Sequence, residues 1–404
     1  MSRALKLGMV GGGQGAFIGA VHRMAARLDG HWDIVAGALA STPEKALVSG
    51  KDLGLATDRI YPDFATMAAA EAAREDGIDA VSIVTPNHVH FPAAKAFLEA
   101  GIPVICDKPL TSNGEDARAL AKVAERTGTP FVLTHNYTGY PMIRQAREMI
   151  ERGDLGDLRL IHVEYIQEWL SQDLESEGLK QAKWRTDPKQ SGAGGAIGDI
   201  GTHAFNLVSF TTQKQVARLS AQLHSFVKGR RLDDNAHVIL DYAGGTKGVL
   251  LATQVAPGYE NEIRLRVSGT KGSIEWNQST ANSLRYSPLS AAPQTMTRGG
   301  SAAGEAATAA SRIPGGHPEG YLEAFATLYS EAATLIRGGA APLLPTIQDG
   351  VDGVNFVEAC VTSSAKNSEW VSWNCQRVRN DKFTRKPRPD QPITPTTMVS
   401  RDAV

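Results

Sequence analysis

The chain has 404 residues, of which 42% are hydrophobic and 21% charged, with 42 Lys+Arg against 43 Asp+Glu and a formal net charge of −1. This composition describes a folded chain with room for two or three domains of roughly 150 residues each, and it argues against disorder. It lacks the basic excess of a nucleic-acid binder.

Three cysteines, Cys106, Cys360 and Cys375, are too few and too scattered for a disulfide framework or a thiolate metal site, and they fit a reducing cytosol. No apolar stretch approaches the ~20 residues needed to span a bilayer. The run at residues 5–10 enters a glycine-rich turn at once, so it reads as a first strand and not as a signal peptide. The expectation is a cytoplasmic protein with neither membrane nor nucleic-acid partners.

The first third alternates short apolar runs with helical patterns. Runs at residues 5–10, 34–39, 80–84, 104–106 and 131–133 predict strands. Residues 91–100 and 114–127 predict helices, the second capped by Ser112 or Asn113 and followed by Gly128. Continuous apolar strands alternating with helices predict a parallel sheet covered on both faces. This is the doubly wound α/β architecture of a Rossmann dinucleotide-binding domain, placed at residues 1–134.

After residue 134 the pattern changes. A helix at Pro141–Arg152 is followed by a strand at 158–167 and a glycine-rich segment, 191–201, leading into a helix through Phe210. Strands follow at 216–227, 236–242, 248–255, 263–268 and 273–276, with turns at Gly244-Gly245 and 269–272. Such a succession predicts an open, largely antiparallel sheet in an α+β domain at 135–376. Residues 289–312 are rich in Ala, Gly, Ser and Thr and read as a long loop or mobile lid. A helix from Pro318 carries Tyr321, Leu322, Phe325, Leu328, Tyr329, Ala332 and Ile336 at helical spacing. A last helix, 348–364, returns toward the first domain, and the Pro-rich tail at 377–404 reads as an extended arm.

Gly11, Gly13 and Ala16 fit the G-x-G-x-x-G/A fingerprint directly after a strand. Glycine is needed there for positive φ and for close approach to a pyrophosphate, and the helix start beyond favours negative charge. Gln14, Gly15, Phe17 and Ile18 complete this turn and are assigned with it to the cofactor. The end of the second strand offers Ser41, Thr42 and Lys45, with neither an acid for the 2′-hydroxyl of NAD nor an arginine for a 2′-phosphate. NAD is the expected cofactor, with NADP the other candidate.

Three further features fall at strand ends or helix starts: Thr85-Pro86-Asn87-His88-Val89-His90, Asp107-Lys108-Pro109, and Gly198-Asp199-Ile200-Gly201-Thr202-His203. The first two lie outside the carboxyl ends of strands, where open α/β sheets bind ligands. Asp199 and His203, four apart, would share one helix face. His88 and His90 lack carboxylate or Cys partners at metal-binding spacing, so no metal is expected.

Together and in this order, these motifs resemble the Gfo/Idh/MocA family of NAD(P)-dependent sugar and polyol oxidoreductases, across residues 5–375. Asp107-Lys108-Pro109 stands where Glu-Lys-Pro is commoner, and Gly269-Thr270-Lys271-Gly272-Ser273 is similar to the family's hairpin. The family's usual turn, G-x-G-x-x-G-x-x-H, has three extra residues here when begun on Gly11 and ended on Gly19 and His22. The resemblance implies that His203 is the general acid/base, with an ordinary pKa of roughly 6.5 near working pH. It implies that Lys108 bonds the reacting oxygen and tunes or relays its proton, and that Asp199 orients a neighbouring hydroxyl. Thr85, Pro86, Asn87, His90, Asp107, Lys108, Pro109 and Asn136 are assigned to the cofactor cleft.

On the substrate side, Tyr137 and Trp169 offer flat faces for a sugar ring, while Asn136 and Gln167 can bond hydroxyls. This pairing resembles the pyranoside-oxidising, levoglucosan dehydrogenase-like branch of the family. Arg185 and His317, the latter read as capping the Pro318 helix, are further candidates beside Asp199 and His203. The expected reaction is hydride transfer between nicotinamide and a secondary hydroxyl of a cyclic sugar, sugar derivative or inositol. The alternative is an NAD-dependent glycoside hydrolase that oxidises a ring carbon transiently. A non-catalytic nicotinamide sensor is disfavoured by the presence of Lys108, Asp199 and His203. An open sheet with one free apolar face must pair with a second subunit, so a homodimer or homotetramer is expected.

Overall fold

The computed structural model describes residues 3–373, so the expected arm at 377–404 lies outside the described residues. Each apolar run of the first third becomes a parallel strand: β1 (Leu5–Gly11), β2 (Trp32–Ala38), β3 (Ala80–Val84), β4 (Val104–Cys106) and β5 (Phe131–Leu133). Their order is β2-β1-β3-β4-β5. Five helices alternate with them: α1 (Phe17–Leu28), α2 (Pro43–Asp52), α3 (Phe64–Ala73), α4 (Asn87–Glu99) and α5 (Gly114–Thr127). The strand order reverses between β1 and β3, and such a reversal opens the crevice where doubly wound sheets bind ligands. Asn113 caps α5 by accepting from Asp116 N, and Gly128 ends it at φ 65°. The predicted start of α4 at residue 91 is corrected to Asn87. Pro92 lies inside the helix, although a proline usually marks a start, and this puts Asn87 and His90 on the first turn.

The second half forms a nine-stranded sheet. After α6 (Pro141–Arg152) and β6 (Leu158–Ile166), two short helices follow, α7 (Lys180–Arg185) and α8 (Pro188–Ser191). The glycine-rich segment then forms a π-helical turn, Ile197–Gly201, that runs into α9 (Thr202–Thr212). The remaining strands of the body are β7 (Val216–His224), β8 (Asn235–Tyr242), β9 (Lys247–Thr253), β10 (Glu262–Gly269) and β11 (Gly272–Asn277). β6 pairs with β9 in parallel and with β10 antiparallel. Met142, Ile143, Leu207 and Val208 from α6 and α9 pack on Val163, Val238, Leu250 and Leu265 to form the core of this half. The opposite face of the sheet is open, with Leu160, Ile239 and Val249 exposed at 48%, 52% and 43%.

The expected lid at 289–312 is corrected. The chain continues the sheet through β12 (Ser283–Pro288) and β13 (Gln294–Thr297), then forms a short helix, α10 (Glu305–Ala309). Buried Arg298 fixes this segment: it pairs with Glu319 at 2.8 Å and donates to Asn282 Oδ1, Ile313 O and Pro314 O. The short strand is held by its antiparallel pairing with β12, and Arg298 just after it ties the following loop in place. The next helix, α11 (Tyr321–Ile336), starts after Gly320, so His317 does not cap it; His317 is exposed beside Pro314 O.

α11 follows the second sheet in sequence yet packs on the first, where Phe325 and Tyr329 meet Leu5, Val21 and Trp32. The sequence boundary near residue 134 therefore does not divide the packing. α12 (Ile347–Ala365) joins both cores, with Val351 and Val354 in the first and Phe356, Val357 and Cys360 in the second. A last strand, β14 (Val371–Ser372), edges β7. Among the described residues, no helix is long and apolar enough to cross a membrane.

Candidate active site

The cofactor cleft is built by absence of side chains. Gly11 and Gly12 leave β1 at φ 79° and 73°, conformations that favour glycine. A Cβ on Gly11 would lie 2.9 Å from Val84 O, one on Gly13 2.6 Å from Leu39 O, and one on Gly19 2.3 Å from the Cα of Gly12. The turn thus lies against β3 on one side and α1 on the other. The extra residues spread toward α2: Gly13 N donates to Leu39 O, Gln14 N to Ser49 Oγ, and the Gln14 amide to Asp52. Phe17 is 69% exposed, whereas Ile18 packs into the first core. Gly15 has open space around it, and Ala16 precedes α1 in an extended conformation. At the end of β2, Thr42 caps α2 by accepting from Lys45 N, beside exposed Ser41.

Several buried polar atoms beside this cradle have no protein partner: Thr85 Oγ1, His135 Nδ1, both amide atoms of Asn136, and His203 Nδ1. Orphaned donors and acceptors at this depth are costly unless a ligand meets them. With the glycine cradle, they fit the amide and hydroxyl groups of a nicotinamide dinucleotide.

His90 receives a different role from the one expected. Its Nδ1 lies 2.7 Å from Pro109 O and its Nε2 2.9 Å from Thr85 O, so both ring nitrogens face backbone carbonyls, and the neutral imidazole donates its one N–H to one of them. It ties the Thr85-Pro86 stop to the Lys108-Pro109 turn and leaves no nitrogen for a cofactor. Asn87 likewise donates its amide to Ser191 O at 2.9 Å, linking α4 to α8. Asp107 accepts from Lys108 N and from Thr134 Oγ1 at 3.1 Å. Burial would raise its pKa, but His22, Lys108 and His90 outweigh that and hold it well below the usual carboxylate range.

Across the cleft, Lys108 Nζ lies 2.6 Å from the backbone O of Asp199 and 2.9 Å from its Oδ1. Asp199 Oδ2 accepts from Gln254 at 3.0 Å and faces Arg185 Nε at 3.3 Å. Both oxygens of Asp199 are thus engaged by the protein's own cations and amide, which ties this carboxylate to Lys108, Arg185 and Gln254. Burial pushes this carboxyl up, but Lys108, Arg185 and the hydrogen bonds outweigh it and hold it well below the usual range. Asp199 sits in the π-turn and not on a regular α face with His203. Asp233 anchors that turn by accepting from Gly195 N at 2.7 Å and Ile197 N at 2.8 Å, and burial raises its carboxyl to about 6.

His203 is enclosed by rings, with Tyr137 edge-on at 5.1 Å, His135 at 5.9 Å and Tyr165 at 6.0 Å. Burial, then Lys108, then His135 push its pKa well below the ordinary 6.5. The imidazole is therefore neutral at working pH, not half-protonated. Tyr137 is corrected from a sugar platform to part of this cage: it is 2% exposed, and its hydroxyl bonds Tyr165 at 2.7 Å.

Of the other substrate-side candidates, Gln167, Trp169 and Arg185 converge, whereas His317 is exposed beside Pro314 O and is not among them. Trp169 Nε1 donates to Gln167 Oε1 at 2.9 Å, and Arg185 stacks between Trp184 and Trp169, its Cζ 4.2 and 5.7 Å from their rings. The motif reading missed Gln254, Asn261, Gln278 and Asp233. Gln254 had a signal: it ends the inward-facing series Leu250, Ala252, where a polar side chain breaks the apolar pattern. Among the described residues, no group of three or more His, Cys, Asp or Glu is placed to hold a metal.

Comparisons with known proteins identify the family. Residues 5–136 match the GFO/IDH/MocA oxidoreductase family with an NAD-binding Rossmann fold, and residues 143–275 match the GFO/IDH/MocA C-terminal domain. An oxidoreductase from Sinorhizobium meliloti is 53% identical, with a TM-score of 0.84 over 92% of this chain and all of that one. An inositol dehydrogenase homologue from Azotobacter vinelandii, solved with NADH and myo-inositol, is 35% identical, with a TM-score of 0.85 over 92% of this chain and 98% of that one. Levoglucosan dehydrogenase of Pseudarthrobacter phenanthrenivorans is 27% identical over 312 residues, 70% of this chain and 75% of that one.

Proposed function

The chain belongs to the Gfo/Idh/MocA family of NAD-binding oxidoreductases, of the sugar and inositol dehydrogenase type, and from that premise we propose that it oxidises a secondary hydroxyl of a cyclic polyol. The class includes inositols, cyclic sugars and their derivatives. The observation that carries this reading is the Lys108–Asp199 pair held close enough to neutral His203 for both charges to act on it.

The bound nicotinamide supplies the hydride acceptor. Oxidation also requires a base for the hydroxyl proton and a donor that holds the oxygen as its charge changes. His203, neutral and fixed in its ring cage, is the base. Lys108 has three N–H donors. Two bond Asp199 O and Oδ1, which leaves one for the substrate oxygen. Asp199 holds that ammonium in place. Gln167, Trp169 and Arg185 form the wall that reads the ring, a surface of amides and flat aromatic faces suited to hydroxyl-rich, neutral ligands. The inositol bound to the Azotobacter vinelandii homologue and the substrate of levoglucosan dehydrogenase are both of this kind.

The test is a panel of inositols, levoglucosan, aldoses and acyclic polyols with NAD and with NADP, followed by reduced-nicotinamide absorbance. Running both cofactors matters because Ser41, Thr42 and Lys45 favour neither ribose form outright. Reduction with a cyclic polyol is expected; reduction only with acyclic alcohols or with none of the panel overturns the reading. We also propose that the open sheet face pairs with a second copy in a homodimer or homotetramer, because Leu160, Ile239 and Val249 leave it apolar and exposed.

A further inference from the structure

Gln254 has not been assigned a role by any motif, yet it is the link between the two walls of the site. It is 2% exposed and held at both backbone ends: its N donates to Asp234 O at 2.9 Å, and its O accepts from Leu170 N at 3.0 Å. Its position follows from the parallel pairing of β6 with β9, which brings Gln167 beside Thr253 through a 2.8 Å backbone bond.

The side-chain orientations are fixed by chemistry. The indole of Trp169 can only donate, so the atom it meets at 2.9 Å is the carbonyl oxygen of Gln167. Gln167 must then present its amide nitrogen to Asn261 Oδ1, 2.6 Å away. The Gln254 amide faces two acceptors, Gln167 Oε1 at 3.1 Å and Asp199 Oδ2 at 3.0 Å. It therefore uses both N–H groups, and a flipped amide would set a third oxygen against them. A directed chain results: Trp169 and Gln254 both donate to Gln167, and Gln254 donates its second hydrogen to the carboxylate that grips Lys108.

We propose that Gln254 is a positioning residue that keeps Asp199 aimed at Lys108 and couples that pair to the Gln167–Trp169 wall. Its bond, together with Arg185 Nε at 3.3 Å, holds Oδ2 so that Oδ1 stays turned to the Lys108 ammonium. The proposal rests on the dehydrogenase reading for its kinetic arm only.

The test compares wild type with Gln254→Met and Gln254→Glu. The first removes both bonds at similar volume. The second, nearly isosteric, places a carboxylate against Asp199, and two carboxylates so close share a proton. For Gln254→Met, kcat is expected to fall about ten- to a hundredfold, the scale of a hydrogen bond to a charged group, with KM changing less than about threefold. For Gln254→Glu, the acid limb of kcat is expected to move upward by about one pH unit or more. A second arm needs no substrate: relative to wild type, the melting temperature of Gln254→Glu should be depressed most at neutral pH and should recover as pH falls through the raised pKa of the carboxylate pair, because the folded pair then holds a proton that the unfolded chain does not, and adding Asp199→Asn should remove this difference. Unchanged kcat and pH profiles, or a loss confined to KM, overturn the proposal, as does a melting shift that survives Asp199→Asn. If Gln254→Met fails to fold, Gln254→Glu carries both arms. A wild type inert on the whole panel but with the melting shift present overturns the dehydrogenase reading and not the coupling.

Discussion

Lys108 and Asp199 stand 91 residues apart in sequence, yet the lysine ammonium bonds both the backbone oxygen and the carboxylate of the aspartate. One residue leaves β4 of the parallel sheet and the other sits in the π-turn before α9, so this contact closes the cleft between the two halves. It also decides how many lysine donors remain for a substrate. Lys108→Met should lower kcat by about 10²- to 10⁴-fold, the range for removing a proton-handling group. Steady-state kinetics with the preferred polyol measures this, and a variant retaining a tenth of wild-type turnover contradicts the role.

His203 should act as a base over a wider acid range than a free histidine. Because burial, Lys108 and His135 push its pKa well below 6.5, the neutral form persists through mildly acidic pH. The acid limb of kcat/KM is expected below the ordinary histidine range, and His203→Asn should cost about 10²- to 10⁴-fold in kcat. An acid limb centred near 6.5 that disappears in His203→Asn would show that the imidazole titrates as an ordinary one.

Acid should destabilise the protein partly through His135. Burial, then Lys108, lowers its folded pKa to about 3, against roughly 6.5 in the unfolded chain. Between those values the unfolded chain holds a proton that the folded chain does not. The stability is therefore full above the unfolded pKa and is lost as pH falls below it, amounting to about 2 kcal/mol by pH 5. Urea unfolding at pH 7.5 and pH 5 should show a smaller drop in His135→Gln than in wild type, by about that amount. Equal drops would mean that His135 gains its proton while folded.

The glycine turn gives a test that separates binding from chemistry. A Cβ on Gly19 meets backbone of Gly12 at 2.3 Å, where no side chain can move aside. Gly19→Ala should weaken NADH binding by about tenfold or more and lower the melting temperature, since the strain costs on the order of 1–3 kcal/mol. Gly15→Ala meets open space but a φ of 74°, so it should cost about 1 kcal/mol from backbone strain alone. Titration by nicotinamide fluorescence ranks the two, and a stronger effect at Gly15 would reverse the assignment.

The open sheet face predicts assembly. Ile239→Asp combined with Val249→Asp places charges in the middle of the exposed apolar patch. The double variant should run as a monomer in light scattering while the wild type does not; a monomeric wild type would remove the proposal of a subunit interface.

Much of this molecule was legible in its sequence, because the signals were local. Apolar runs ending in Gly11, Thr85 and Asp107 marked strand ends, and strand ends are where a parallel sheet places its ligand groups. Family resemblance then pointed to Lys108, Asp199 and His203. What the sequence could not carry was which partner each group meets. His90, assigned from sequence to the cofactor, lies between two backbone carbonyls. Tyr137, read as a flat face for a sugar ring, is buried against His203, and the small-residue stretch at 289–312 is tied down by Arg298. The carboxylate of Asp199 is shared by Lys108, Arg185 and Gln254, which arrive from distant segments. Residue type and spacing determined which chemistry the chain carries. The charge states of His203 and Asp199 were decided only by folding, because desolvation and the field of neighbouring ions depend on distances that chain order does not encode.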